Sequence, residues 1–461
     1  MKPVLATVLT VFLFLSGCSS WPGDSGQPQL QSLARIGHSD NSRRQLEISQ
    51  WQTSSGTRVL FVQAGELPMF DIRLTFAAGS SKDGTQHGLA AMTSTLLDQG
   101  SSGLAADQIA SGFEELGARF SHSSHRDMAL ISLRSLSDEK LGTAAVELFS
   151  QVIAAPEFAA PGLARQQNLL RNSFNQERKD PAAMASKELF LRLYGEHPYA
   201  HPPSGTASSI NAFTPQMLQN FYRQFYTAQN AQLVMVGDLS HERARAISER
   251  ITSALPSGRA ADKAPQATAP APGHWHLDMD IQQTHIYLAQ PGIGREHPDF
   301  AALYLANQVF GGSGFGSRLM SELREQRGLT YGVYSGLSPM QSGGSFVVSV
   351  QTRTETAQQA LVLLRQLQQE LVTQGITQAE LDSAKRQITG SYPLANASNS
   401  AIVSQLAMLA FYGLPLDWQD QFIEQINQLS LQQVNQAIGR HLQPEQQILI
   451  SVGAVRPEFE Q

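Results

Sequence analysis

The chain has 461 residues, with 33 Lys and Arg against 39 Asp and Glu, a net charge of −6 and a pI near 6.1. Length favours two or more domains, because single cores rarely grow past roughly 250–300 residues, and 41% hydrophobic with 16% charged residues argues against disorder or a polytopic membrane protein. The acidic balance removes the basic footprint of a nucleic-acid binder, and a single cysteine excludes an internal disulfide framework and any multi-cysteine metal site.

At the start of the chain, Lys2 precedes an apolar run over 4–15. That run is too short to cross a hydrocarbon core of about 30 Å as a helix and reads as a signal peptide. Leu15-Ser16-Gly17-Cys18 resembles the lipobox of bacterial lipoproteins. The resemblance implies cleavage after residue 17, a lipid on the Cys18 sulfur, and 461 − 17 = 444 mature residues. With Ser19 next, it also implies a final place at the periplasmic face of the outer membrane. An ordinary cleaved signal with an incidental cysteine is the alternative. Residues 18–40 read as a flexible tether, rich in Ser, Gly, Pro and Gln at its start.

A first domain is expected over 41–255. It opens with an alternating strand at 71–79 and a helix at 88–98. A strand at 128–136 leads to helices at 139–153 and 160–174, then a helix at 214–225 and an apolar strand at 231–237 ending in Val-Gly. Pro, Ala and Gly dominate 256–273, which has almost nothing to bury and reads as a linker. The second domain, 274–461, repeats the order. A strand at 284–291 and a helix at 298–310 are followed by a strand at 345–352 and helices at 357–373 and 377–392. A helix at 430–442 and a strand at 447–453 close it, again on Val-Gly. Leu361, Leu364, Leu367 and Leu371 form one stripe at helical spacing, suited to lie on a sheet. The pattern gives a duplicated α+β unit, although two unrelated α/β domains would share some of it.

The run F-G-G-S-G-F-G-S-R-L-M-S-E-L-R-E-Q-R-G-L-T-Y-G-V-Y-S, 310–335, resembles the second-domain signature of the zinc peptidase family that includes insulinase, pitrilysin and mitochondrial processing peptidase, and the resemblance extends over nearly the whole mature chain, including H-P-Y-A-H-P-P-S-G-T at 197–206 in the first domain. The resemblance implies two homologous domains, each an antiparallel-rich sheet with helices packed on it, arranged as a clamshell. Active members carry H-x-x-E-H on the first helix, where two histidines one turn apart bind Zn²⁺ and the glutamate takes a proton from bound water. The corresponding stretch here is G-L-A-A-M-T-S-T-L-L-D-Q-G. Ala91 and Thr95 stand at the histidine positions and Ser94 at the glutamate position; the family's downstream glutamate falls at Asn172, or at Ser173 if the alignment slips by one. A methyl group is no ligand and hydroxyls are poor ligands and bases, so no catalytic zinc is expected on this chain.

In the second domain the resemblance assigns substrate hydrogen bonding to Arg324 and Tyr331. Both donate to an oxygen gaining negative charge without changing protonation. Outside the motif, Arg324 reads as a solvated helix charge and Tyr331 as a packed strand aromatic. Gly311, Gly312, Gly314 and Gly316 lack the Lys-Ser/Thr ending of a phosphate loop and follow a helix rather than a strand. Similarity to the non-catalytic subunit of mitochondrial processing peptidase implies a substrate-handling loop; a mobile connection before Arg318 is the other reading. For a rebuilt metal site, His122 and His125 are candidates, but extended chain sends residues three apart to opposite faces. His87 has no carboxylate partner suggested by spacing, and His197 and His201 flank prolines and look structural.

The expectation is therefore a non-catalytic subunit of a heteromeric zinc peptidase acting on extended peptides, with zinc and H-x-x-E-H on a partner chain. The alternatives are a peptide-binding or assembly lipoprotein without an enzymatic partner, and a peptidase rebuilt around His122 and His125.

Overall fold

The computed structural model describes residues 46–392 and 397–458; the expected signal peptide, Cys18 and the expected tether lie outside them. The first half runs β1 (Ile48–Gln52), β2 (Arg58–Gln63), β3 (Met69–Phe76), α1 (Leu89–Thr95), α2 (Ala106–Glu115), β4 (Arg119–Ser124), β5 (Ala129–Leu136), α3 (Glu139–Ala154), α4 (Ala160–Glu177), α5 (Pro181–Tyr194), α6 (Ala207–Asn211), α7 (Pro215–Phe225), β6 (Ala231–Gly237) and α8 (His241–Ser253). The second half runs β7 (Gly273–Asp278), β8 (Gln283–Gly292), α9 (Phe300–Asn307), β9 (Thr330–Ser338), β10 (Gly344–Arg353), α10 (Ala357–Gln374), α11 (Gln378–Ser391), α12 (Asn399–Tyr412), α13 (Trp418–Gln428), α14 (Leu431–His441) and β11 (Ile448–Gly453).

The duplication expected from the sequence holds strand by strand. The sheets are ordered β1-β2-β6-β3-β5-β4 and β7-β11-β8-β10-β9. In each, the late Val-Gly strand inserts beside the first long strand: β6 runs parallel to β2 and antiparallel to β3, while β11 runs parallel to β7 and antiparallel to β8. Strands β6 and β11 are buried along nearly their whole length, which is why they read as continuous apolar runs rather than alternating ones. The glycine that ends β6 is required. Gly237 has φ +145°, and a Cβ there would stand 2.4 Å from the Met69 carbonyl oxygen.

Helix ends follow local chemistry. Thr377 and Glu380 form a reciprocal capping box on α11, Ser430 and Gln433 another on α14, and Asp180 caps α5 ahead of Pro181.

Two helices cross between the halves. From the first half, α5 lies on β11 and β8 of the second sheet, where Ala185, Leu189 and Leu193 pack with Ile448, Ile450 and Val452. From the second half, α12 lies on β6 and β3, where Ile402, Val403 and Leu406 pack with Leu60, Val234 and Val236. Each fully buried leucine or isoleucine here contributes about 2 kcal/mol by leaving water. The exchange gives the halves shared cores, and the described residues from Leu46 onward form one compact unit.

A polar joint reinforces this packing. The buried Asp127 carboxylate accepts hydrogen bonds from the hydroxyls of Tyr199 and Tyr412 and from the Gln341 amide at 3.0 Å. The segment 256–273 forms no helix and joins a strand only at Gly273, but it is pinned along its length. The Ala261 amide donates to Asn230, the Pro265 carbonyl accepts from His197 at 2.7 Å, and the Ala267 amide donates to the Ser342 carbonyl at 2.9 Å. Among the described residues, no helix is long and apolar enough to cross a membrane.

Candidate functional site

The positions of the lost zinc motif sit on α1, which stops at Thr95, short of the 88–98 span expected, as Leu96 and Leu97 turn into the core. Asp83 fixes the start of this helix, its carboxylate accepting from the amides of Gly88 and Ala90 at 2.7 Å each. Ala91 and Thr95 are half-buried, whereas Ser94 is only 1% exposed. The Ser94 hydroxyl faces Tyr226, whose phenol is raised well above its ordinary range by complete burial and only partly lowered by Ser94. Asn172 and Ser173 are exposed on α4, with Ser173 turned to Glu177 at 3.5 Å. A methyl, two hydroxyls and an exposed amide do not fit a zinc ion. At the glutamate position the space a carboxylate needs is already filled by packing.

The other half of the expected site is assembled. After α9 the chain widens into a π-helical turn at Gln308–Gly312, tightens into a 3₁₀ turn at Gly314–Gly316 and widens again in a second π-helical stretch at Met320–Glu325. Gly311 lets this segment close on β9, since a Cβ would stand 2.6 Å from the Ser335 amide nitrogen, and Gly314 takes φ +67°. The loop is anchored rather than a free connection. Arg318 grips Glu380 with Nε at 2.5 Å and a terminal nitrogen at 2.6 Å, and donates to the Gly375 carbonyl at 2.9 Å.

Arg324 and Tyr331 come together. The Arg324 guanidinium carbon lies 4.9 Å from the Tyr331 ring centroid and 4.5 Å from that of Phe315. Tyr331 is 87% exposed and Phe315 67%, so neither is a core aromatic. Strand alternation alone would turn Tyr331 inward, beside buried Val333 and Ser335. A β-bulge prevents it: Gly332 pairs with Gln351 and Thr330 with Thr352, leaving Tyr331 as the extra residue. The Thr330 hydroxyl holds the bulge, donating to the Gln351 carbonyl at 2.6 Å and accepting from the Gly332 amide at 3.0 Å. Exposed Tyr334 lies over Gly332 on the same edge strand. Phe315, Thr330 and Tyr334 were not singled out from sequence.

His122 on β4 faces Asp98 at 3.7 Å, and His125 faces Ser123 at 3.3 Å, so the two take different partners. His87 stacks on His201 at 4.1 Å between centroids, and burial beside that ring lowers its pKa. His201 donates to buried Asp83 at 3.0 Å. Both rings line a cavity of about 570 Å³ with Lys187, His197 and Leu277. His297, Asp299 and His441 are close enough to suggest a metal, but their atoms are committed: His297 Nδ1 accepts from the Asp299 amide, and the Asp299 carboxylate accepts from Arg440 and His441.

A duplicated sheet-and-helix unit with a motif-bearing α1 in the first half and an Arg/Tyr edge in the second defines a two-domain zinc-peptidase fold. A family model described as insulinase (peptidase family M16) matches residues 58–207, and one described as peptidase M16 inactive domain matches 212–388. A crystal structure described as a peptidase M16 inactive domain from Pseudomonas fluorescens superposes with a TM-score of 0.87 at 44% identity, covering 90% of this chain and all of that one. A protein named non-peptidase homolog YmxG from Helicobacter pylori is 27% identical over 387 residues, 83% of this chain and 88% of its own. An uncharacterized zinc protease of Mycobacterium tuberculosis is 29% identical over 305 residues, 65% of this chain and 68% of its own. The chain belongs to the insulinase family, peptidase family M16.

Proposed function

We propose that this chain is the non-catalytic subunit of a heteromeric zinc peptidase, anchored through a lipid on Cys18 at the periplasmic face of an outer membrane. A partner of the same family holds the zinc on an intact H-x-x-E-H helix, and this chain contributes Arg324 and Tyr331 to the extended peptide bound there. The observation that carries the reading is the asymmetry between the halves. The zinc positions hold no imidazole or carboxylate and Ser94 is packed under, while Arg324 and Tyr331 stand together on an exposed edge. Two preorganised hydrogen-bond donors are useful to a reaction whose metal lies on another chain, provided the interface fixes their geometry. The name of the Helicobacter pylori relative supports absence of chemistry on the single chain.

The test is reconstitution. The purified chain alone is expected to cleave no unfolded peptide, and mixing it with a zinc-bearing relative from the same cells should give activity that the relative lacks alone. Peptide hydrolysis by the isolated chain overturns the reading. Peptide binding with no activity in any such mixture favours a receptor without an enzymatic partner.

A further inference from the structure

We propose that a cavity between α9, α11, α12 and α13 binds a small aromatic carboxylate, with Arg295 holding the carboxylate and the aromatic wall holding the ring. The cavity shares no residue with the Arg324–Tyr331 edge, so the proposal does not depend on the function assigned there.

The space is about 230 Å³, room for a compound built on one six-membered ring. Its lining joins two kinds of surface. Phe300, Tyr304, Trp418 and Phe422 make the apolar side. Trp418 stacks on Phe422 with centroids 5.2 Å apart, and Tyr304 meets Phe422 edge-on at 5.3 Å, so these rings brace one another. A flat apolar ligand would find a wall already in place, with little ordering left to do.

The polar side lacks its partners. Arg295 is half-buried, its Nε is buried without an acceptor, and among the described residues its guanidinium enters no hydrogen bond or ion pair. The Phe300 ring lies 5.7 Å away, near the outer limit of a cation–π contact. Other half-buried arginines are matched: Arg318 by Glu380, Arg126 by the Tyr199 carbonyl and Arg243 by the Ser137 carbonyl. No carboxylate lines this cavity, and Glu296, next in sequence, is exposed and makes no pair with Arg295. Burial accordingly lowers the pKa of this arginine, with only partial compensation from Tyr412 and Tyr304. A buried cation with an unmet donor is costly, and an anion offsets both the charge and the donor. Gln405 and Gln419 line the same space, and their amide oxygens are buried without a donor. They suit a hydroxyl or amino group on the same ligand. Water or an inorganic anion would satisfy these polar atoms but leave the four rings unused.

Calorimetric titration of the purified chain with phenylacetate, its neutral isostere phenylacetamide, and acetate tests this. Phenylacetate is expected to bind one site with a Kd of about 1 mM or below. The amide should bind at least about tenfold more weakly, and acetate, which has no ring, should give no saturable signal. Arg295→Gln should remove the advantage of acid over amide. It should also leave the melting temperature of the ligand-free chain undiminished, because it takes out a charge that the fold does not neutralise. Phe422→Leu keeps the cation and should weaken acid and amide alike, which keeps the test decisive if the arginine variant does not fold. Absence of saturable phenylacetate binding up to about 20 mM overturns the proposal. Equal affinity for acid and amide, or a preference that survives Arg295→Gln, overturns it too. Acetate binding as tightly as phenylacetate would show an anion site without ring recognition and contradicts it equally.

Discussion

The first and second halves carry equivalent sheets, yet α1 of the first and the segment after α9 of the second are packed in opposite ways. On α1 the central motif position has gone over to packing: Ser94 is buried against Tyr226, Ala91 and Thr95 are half-buried, and the start of the helix is held by Asp83. The stretch after α9 resists packing. Two glycines, a bulge and the Arg318–Glu380 pair keep Arg324, Phe315 and Tyr331 at the surface, where exposed rings bring no folding benefit. The centre of the first motif has filled with core, whereas the second half keeps two aromatic rings exposed around a half-buried arginine.

The largest expected effect comes from trying to restore the lost motif. In the triple variant Ala91→His, Ser94→Glu, Thr95→His, the glutamate would enter space closed by Tyr226. A loss of about 4 kcal/mol in urea unfolding is expected. A triple variant as stable as the parent that also binds zinc would break the comparison.

Cutting the polar joint comes next. Asp127→Ala leaves the buried Tyr199 hydroxyl and the Tyr412 hydroxyl without their acceptor, and a loss of about 3 kcal/mol in the same measurement is expected. An unchanged midpoint would show that the exchanged helices alone hold the halves together.

Thr330→Val probes the second half without touching Arg324 or Tyr331. Loss of the bonds to Gly332 and Gln351 should cost about 1–2 kcal/mol and reduce reconstituted activity as much as removing the Tyr331 ring. Thr330→Ser should restore both. If Thr330→Val lowers stability but not activity, the bulge is structural only.

The smallest effect concerns the outer edge of the second sheet. Strand β2 is covered by β1, whereas β7 is an edge and carries His274. Burial, Arg456 and His276 push this imidazole down from 6.5 to about 4. A base whose pKa is depressed by folding stabilises fully above its unfolded value, and that stability drains as acid is added. Melting temperature should therefore fall between about pH 6.5 and 4, by the equivalent of roughly 1 kcal/mol for a partly solvated group. His274→Gln should flatten that limb.

Much of the fold is legible in the sequence because its signals are local. The Val-Gly strands are readable since central strands bury both faces, and the helix starts are marked by Thr377 and Ser430 with their partners three residues on. The exchange of α5 and α12 is not legible. An apolar helix face such as Ala185, Leu189 and Leu193 says that something must cover it, but not which of two similar sheets does. Arg324 and Tyr331 were found through a motif, and strand period argued against Tyr331, because one extra residue reverses every side chain beyond it. Phe315 was hidden within a glycine run. Asp83, four residues before His87, accepts from His201, a partner distant in sequence on which His87 stacks.

The central claim is that this chain completes a peptide site whose metal lies elsewhere. Its most direct test is the specific activity of a reconstituted complex, made with a zinc-bearing relative and either the parent chain or the correctly folded Arg324→Ala and Tyr331→Phe variants. A fall in kcat/KM of about a hundredfold for each is expected, the scale of losing one preorganised donor. Activity that is unchanged by both substitutions, or that the relative shows without this chain, would contradict the account.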